Sequence, residues 1–216
     1  MKKTVYDYSG FSLKKLTDKR FSHFLLLGGW LVYFCLYFLT ENLIPVERCT
    51  PVHCDLDDII PFCEWFVIPY VGWYFLIIVS LCWFAFYNVD NFKRLQIFIM
   101  TTQALAMICY IAFPTRQDLR PEFFPRDNFL TDCVAFLYSF DTSTGVCPSL
   151  HCAYSIGIAS VWMREKQTTL AVKTFVVVFV VLVCLSTMFI KQHSAVDFFA
   201  AIPICVVAEY VSGKFK

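Results

Sequence analysis

The chain of 216 residues is 58% hydrophobic and 19% aromatic, only 16% of it is charged, and its formal net charge is +1. A soluble domain of this length has too little interior to hide so much apolar surface, and roughly 25% of it would be charged. The composition excludes an ordinary soluble domain, and nothing in so even a charge balance points to a nucleic-acid partner.

The opening residues are polar and basic, with Lys2, Lys3, Lys14, Lys15, Lys19 and Arg20. The apolar run after them is long enough to span a bilayer, which is not the form of a cleavable signal peptide. A membrane-crossing helix needs about 20 mostly apolar residues. Six stretches meet or approach that length: residues 21–40, 66–87, 95–113, 146–163, 170–190 and 194–211. The fourth and the sixth are the shortest and the least uniformly apolar.

The 41–64 connection is acidic, with Glu41, Glu47, Asp55, Asp57, Asp58 and Glu64 against Arg48 alone. Its 58–66 portion contains Pro61 and Trp65 among residues of mixed polarity, as a segment at a membrane interface does. The 114–145 connection mixes Asp118, Glu122, Asp127, Asp132 and Asp141 with Arg116, Arg120 and Arg126, and its 128–138 portion predicts a short amphipathic helix. The other connections are basic: Lys93 and Arg94, then Arg164, Lys166 and Lys173, then Lys214 and Lys216 at the end. Basic and acidic segments alternate, so the positive-inside bias predicts cytoplasmic termini and acidic connections outside. The expected fold is a single all-α membrane domain over 1–216, with six transmembrane helices, in the cell membrane.

Eleven cysteines form no zinc-type pairs of short spacing. Cys35, Cys82, Cys109, Cys184 and Cys205 fall in apolar runs and act there as small hydrophobes. Outside, Cys49 with Cys54 and Cys133 with Cys147 could form disulfides in an oxidising compartment. Free thiols are the alternative, because spacing does not set connectivity.

Three polar clusters fall at the expected outer ends of the last four helices. The first is Phe-Pro-Thr-Arg-Gln-Asp-Leu-Arg-Pro at 113–121, which supplies Arg116 and Arg120. Arginine's planar fork suits phosphate oxygens, although arginines in such loops are commonly just solvated. The second is Cys-Pro-Ser-Leu-His-Cys at 147–152. Pro148 suits a first helical turn, whose free amides favour an anion. Ser149 could add a hydroxyl donor, and His151 a general acid; a capping serine with an interfacial histidine is the plain alternative. The third spans 186–197 and contains Lys191, His193 and Asp197. His193 and Asp197 share one helix face. A carboxylate there can fix the imidazole tautomer and leave the other nitrogen free as base or nucleophile, or the pair can be a structural hydrogen bond at a helix start.

Taken together, the clusters resemble the type 2 phosphatidic acid phosphatase and haloperoxidase superfamily. Its pattern runs Lys, six residues, Arg-Pro; then Pro-Ser-x-His; then Ser-Arg, five residues, His, three residues, Asp. Arg120-Pro121, then Pro148-Ser149-Leu150-His151, then Ser186, His193 and Asp197 fall into these slots in order. The resemblance covers roughly residues 95–212. Two family cations are replaced, the lysine by Phe113 and the third-motif arginine by Thr187. Arg116 and Lys191 are the neighbours that could reach the same oxygens instead. Loss of that arginine is also similar to the sphingomyelin and inositol-phosphorylceramide synthase branch.

The resemblance implies a lipid phosphatase acting on a phosphate monoester or pyrophosphate, without metal or other cofactor, with the lipid phosphate and the surrounding membrane lipids as its partners. His193 would attack phosphorus, oriented by Asp197, and His151 would protonate the leaving oxygen. Arg120, Ser149, Arg116 and Lys191 would hold the non-bridging oxygens. A phosphotransferase that passes the head group to an alcohol is the alternative within enzymes. A catalytically degenerate lipid-binding protein is the alternative outside them.

Overall fold

The structure, a computed structural model, describes residues 4–215. Its main elements in chain order are α1 (Gly28–Leu43), β1 (Thr50–Pro51), α2 (Asp55–Ile59), α3 (Val67–Tyr87), α4 (Val89–Ala112), β2 (Thr115–Arg116), α5 (Phe129–Phe140), α6 (Leu150–Arg164), α7 (Leu170–Phe189) and α8 (Ala195–Gly213). Five helical stretches are long and apolar enough to cross a membrane: Ser22–Leu43, Glu64–Tyr87, Val89–Ala112, Leu170–Phe189 and Ala195–Gly213. They fall on five of the six predicted runs. The run at 146–163 corresponds to α6, which has 15 residues. At 1.5 Å per residue that is roughly 22 Å, short of the roughly 30 Å of a hydrocarbon core.

The bundle is organised around α4, which packs against α8, α6, α3 and α1. Its buried face carries Phe92, Leu95, Phe98, Ile99 and Ala106. Gly157 permits the close approach of α6, since a Cβ there would sit 2.4 Å from Cδ1 of buried Phe98. Trp162 of α6 also donates to Ser80 of α3 at 2.9 Å.

Polar groups gather at the two ends. At one end α3 turns into α4 through Asn88, whose side chain caps α4 by accepting from the Asn91 amide at 3.1 Å. Asn88 and Asn91 both donate to the buried Glu165 carboxylate, at 2.7 and 3.1 Å. Glu209 of α8 pairs there with Arg94 at 2.5 Å and with Arg164 at 2.8 Å. All three motif clusters lie at the opposite end, under the 41–64 and 114–145 connections.

These two connections are tied to each other. β1 and β2 pair in parallel, Thr50 opposite Thr115. Buried Glu64 receives Arg126 through two bonds of 2.7 Å and Asn128 at 3.1 Å. The amphipathic helix expected at 128–138 is α5. It buries Thr131, Val134 and Leu137 and exposes Phe129 and Phe136. Its apolar face packs on Val67, Tyr70 and Ile190.

Among the described residues there is no disulfide, and the eleven cysteines are free. The proposed partners have other roles. Cys49 donates to the Pro45 carbonyl at 3.7 Å, the Cys54 sulfur caps the first turn of α2, and the Cys147 amide is taken by Thr115 Oγ1 at 3.1 Å.

Replacing Gly157 with alanine forces a methyl group into the Phe98 ring. The expected result is a loss of about 1–3 kcal/mol of stability, seen as a lower thermal unfolding midpoint in detergent.

Candidate active site

The chain reverses between α7 and α8 in five residues, 190–194. Lys191 makes this possible by adopting φ +56°, a left-handed conformation rare for a side chain of its size. The Thr187 carbonyl then accepts from the amides of both Gln192 and His193, each at 2.9 Å. Ser194 caps α8, accepting from the Val196 amide at 3.1 Å. Asp197 completes the cap in reverse: its Oδ2 accepts from the Ser194 amide at 3.0 Å. The same oxygen lies 3.0 Å from His193 Nδ1. Asp197 is fully buried and His193 nearly so. Burial pushes the His193 pKa down, but the hydrogen bond and charge of Asp197 outweigh it and leave the pKa above the usual histidine value.

The second cluster joins the third through the main chain, the Ser149 amide donating to the Asp197 carbonyl at 3.1 Å. Tyr110 of α4 donates to the Pro148 carbonyl at 2.8 Å and fixes the start of α6. Ser149 is the buried N-cap of α6, 3.4 Å from the Cys152 amide. His151, one residue into the helix, lies against two rings of α3. Its centroid is 4.6 Å from Tyr70, nearly parallel, and 4.2 Å from Trp73. It is 5.5 Å from the ring of His193. Nε2 of His151 is buried without a hydrogen-bond partner among the described residues. Cys147 lies against Asp197, and burial first and that carboxylate second push its thiol up to about 12.

Arg120 is tied to the turn that carries His193 through Gln192. Its Nε and Nη2 donate to Gln192 Oε1 at 3.0 and 2.6 Å. Nη1 donates to the Tyr138 carbonyl at 3.1 Å, and Nη2 to the carbonyls of Asp141 and Thr142 at 2.8 and 3.2 Å. The guanidinium lies 4.5 Å over the Tyr138 ring. Gln192 Nε2 and the Tyr70 hydroxyl both donate to Asp141 Oδ2 at 3.0 Å. A continuous network thus runs Arg120–Gln192–Asp141–Tyr70 and ends on the ring stacked against His151.

Arg116 and Lys191 are not presented to the histidines. Arg116 sits in β2, bound to Asp118 at 3.0 Å and to the Val46 carbonyl at 3.2 Å. Lys191 Nζ donates to the carbonyls of Asp57 and Ile60 at 2.7 and 2.5 Å. The neutral residues in the family's cation slots also turn elsewhere. Phe113 is exposed, while Thr187 is buried and donates to the Cys184 carbonyl at 2.8 Å.

Tyr70, Trp73, Asp141 and Gln192 belong to the site but stand in no motif. Gln192 had one signal, its place beside His193. Tyr70 and Trp73 are indistinguishable in sequence from the other aromatic residues of an apolar run.

No protein-family model, curated protein or solved structure matches this chain.

Replacing Gln192 with leucine leaves Arg120 Nε and one lone pair of Asp141 without their partner. Buried bonds to charged groups contribute about 1.5–3 kcal/mol each. The variant is expected to unfold at least 1.5 kcal/mol more readily, measured by denaturation in detergent.

Proposed function

We propose that this chain is a multi-pass membrane enzyme that removes a phosphoryl group from a lipid through a phosphohistidine on His193. One observation carries the reading. Two imidazoles lie 5.5 Å apart, and one of them is held through Nδ1 by a buried carboxylate. With Nδ1 donating to Asp197, Nε2 keeps its lone pair and is the nucleophile.

In the first step Nε2 of His193 bonds to phosphorus and the bond to the lipid oxygen breaks. His151 passes its proton to that oxygen. In the second step water attacks the phosphohistidine, His151 takes up the water proton, and the nitrogen–phosphorus bond breaks. The helix starts favour α6 as the holder of the non-bridging oxygens. The first amides of α8 are already bound by protein oxygens. Those of Leu150 and His151 have no acceptor within their own helix. Arg120 adds positive charge at the His193 turn, through its bonds to Gln192. In this reading α6 crosses as the sixth span, the termini are cytoplasmic, and the site opens to the outside of the cell membrane.

A second reading is favoured by the scarcity of free cations. Arg116, Lys191 and Arg120 all donate to protein oxygens and Thr187 is neutral, so among the described residues no motif cation is left free for a phosphate. A phosphodiester carries one negative charge and asks for less compensation than a phosphate monoester. In that case the donor is a phospholipid, and an alcohol replaces water in the second step.

The deciding experiment uses a panel of labelled lipid phosphates and phospholipids, with and without an alcohol acceptor. Free phosphate supports the hydrolase, and a new phosphodiester supports the transferase. Lipid binding without turnover removes both and leaves a binding protein.

His193→Ala is expected to abolish turnover and the labelled phosphohistidine while the protein still inserts; normal turnover would remove His193 as nucleophile. EDTA should leave the rate unchanged.

The pH dependence follows from the raised pKa of His193. The charged pair with Asp197 stabilises the fold fully below the ordinary histidine pKa, and that contribution fades as pH rises through the raised value. The nucleophile is the neutral form, so activity should rise with pH through a midpoint above the usual histidine range. Asp197→Asn should move this midpoint to lower pH, as a rate–pH profile would show.

A further inference from the structure

We propose that Asp57, in the 41–64 connection, is a positioning residue that holds the α7–α8 turn so that His193 stays on Asp197. This rests on the reading of His193 as the nucleophile and adds to it a residue outside all three motifs.

Asp57 lies on α2, a helix of five residues. So short a helix has no stability of its own, and its place is set by its contacts. The Asp57 carboxylate is buried and turned into the α8 start. Oδ2 accepts from the Ser194 hydroxyl at 2.5 Å and from the Cys54 amide at 2.9 Å. Oδ1 accepts from the Ala195 amide at 2.8 Å. Burial pushes this carboxyl up, but the bonds from Ser194, Ala195 and Cys54 outweigh it and hold its pKa below the ordinary value. The carbonyl of the same residue accepts from Lys191 Nζ at 2.7 Å. A further bond of 2.9 Å runs from the Cys63 amide to the Phe189 carbonyl.

The 41–64 connection therefore grips residues 189, 191, 194 and 195, on both sides of His193. Among the described residues no hydrogen bond it makes goes to His193 itself, so Asp57 acts by holding the turn that carries the histidine.

Two features make that grip necessary. The turn contains a lysine at φ +56°, and a left-handed conformation costs a residue with a side chain about 1–2 kcal/mol. The bonds from its Nζ to the carbonyls of Asp57 and Ile60 oppose relaxation of that turn. The second feature is a pair of donors at the helix start that Asp197 does not take up. Asp197 Oδ2 already serves the Ser194 amide and His193. It does not serve the Ala195 amide or the Ser194 hydroxyl, which both go to Asp57. Once the Ser194 proton points at Asp57, its oxygen is free to accept the Val196 amide. The first turn of α8 then has one geometry, and Asp197 sits within it.

The test compares the full-length protein with Asp57→Ala and Asp57→Asn in detergent. Asp58→Ala is the control, because Asp58 is exposed and pairs with His53. The probes are labelled phosphatidic acid and a labelled phospholipid with an alcohol acceptor, with alkaline quenching to trap phosphohistidine.

Asp57→Ala is expected to lower kcat by about 10²-fold, the usual effect of a displacement of about 1 Å in a catalytic group. KM should change far less. The midpoint of the rate–pH profile should move to lower pH, because His193 is then less firmly paired with Asp197. Asp57→Asn keeps one acceptor and should fall between. Asp58→Ala should match the wild type.

A folded Asp57→Ala protein with wild-type kcat and pH midpoint overturns the proposal. If the alanine variant does not fold, the same criterion applies to Asp57→Asn. A readout without turnover separates this failure from failure of the functional reading. In nitrogen-15 spectra of labelled histidine, the wild type should show the Nδ1 proton of His193 held on Asp197, and Asp57→Ala should lose that signature. Silent enzyme with the spectral change keeps the clasp and removes the enzyme. Active enzyme with unchanged His193 signals in Asp57→Ala removes the clasp alone.

Discussion

The Asp197 carboxylate answers three needs at one point of the bundle. It closes the cap of α8 by accepting the Ser194 amide, it holds His193 through Nδ1, and it does both while fully buried. A buried carboxylate without such donors would be strongly unfavourable. The cap and the histidine supply donors, and the carboxylate in turn fixes both. The main chain extends the arrangement, since the Ser149 amide binds the Asp197 carbonyl and carries the start of α6 with it. His151 therefore stands at a set distance from His193 because two helix starts share one residue.

The two long connections support this point from different sides. The 114–145 connection reaches the turn at Ile190, where the Tyr138 hydroxyl donates to the carbonyl at 2.5 Å, and at Gln192, through Arg120 and Asp141. The 41–64 connection reaches it at residues 189, 191, 194 and 195. Glu64 and Arg126 then join the two connections to each other. Most polar groups near the turn find a partner in the protein, as a polar site at the end of an apolar bundle requires, and His151 Nε2 and Asp197 Oδ1 are buried without one among the described residues.

The bundle beneath is built differently. Its interior is mainly aromatic and aliphatic, with Gln96, Thr102 and Gln103 of α4 also buried in it and close approach at Gly157, and its far end is closed by Glu165 and Glu209 with their asparagine and arginine partners. Two polar ends separated by an apolar middle are what a membrane-crossing bundle requires.

Much of this was legible from residue order. Runs of apolar residues announce helices that cross a membrane, because length and hydrophobicity are local properties. The pairing of His193 with Asp197 was legible from their spacing of four, although His193 stands in the turn before α8 and not on the helix. Ser149 could be placed at a helix start for the same local reason. What the residue order left open was decided by chain segments that meet only on folding. Lys191 looked like a phosphate ligand until the carbonyls of Asp57 and Ile60, more than a hundred positions away, took its charge. Asp57 was one of several acidic residues in its connection, and only packing turned it toward α8. Arg120 was visible as a cation, but its partners Gln192, Tyr138 and Asp141 were not. Local pattern records what a residue can do within its own turn of helix; which partner satisfies a charge depends on contacts between distant segments, and those exist only in the folded bundle.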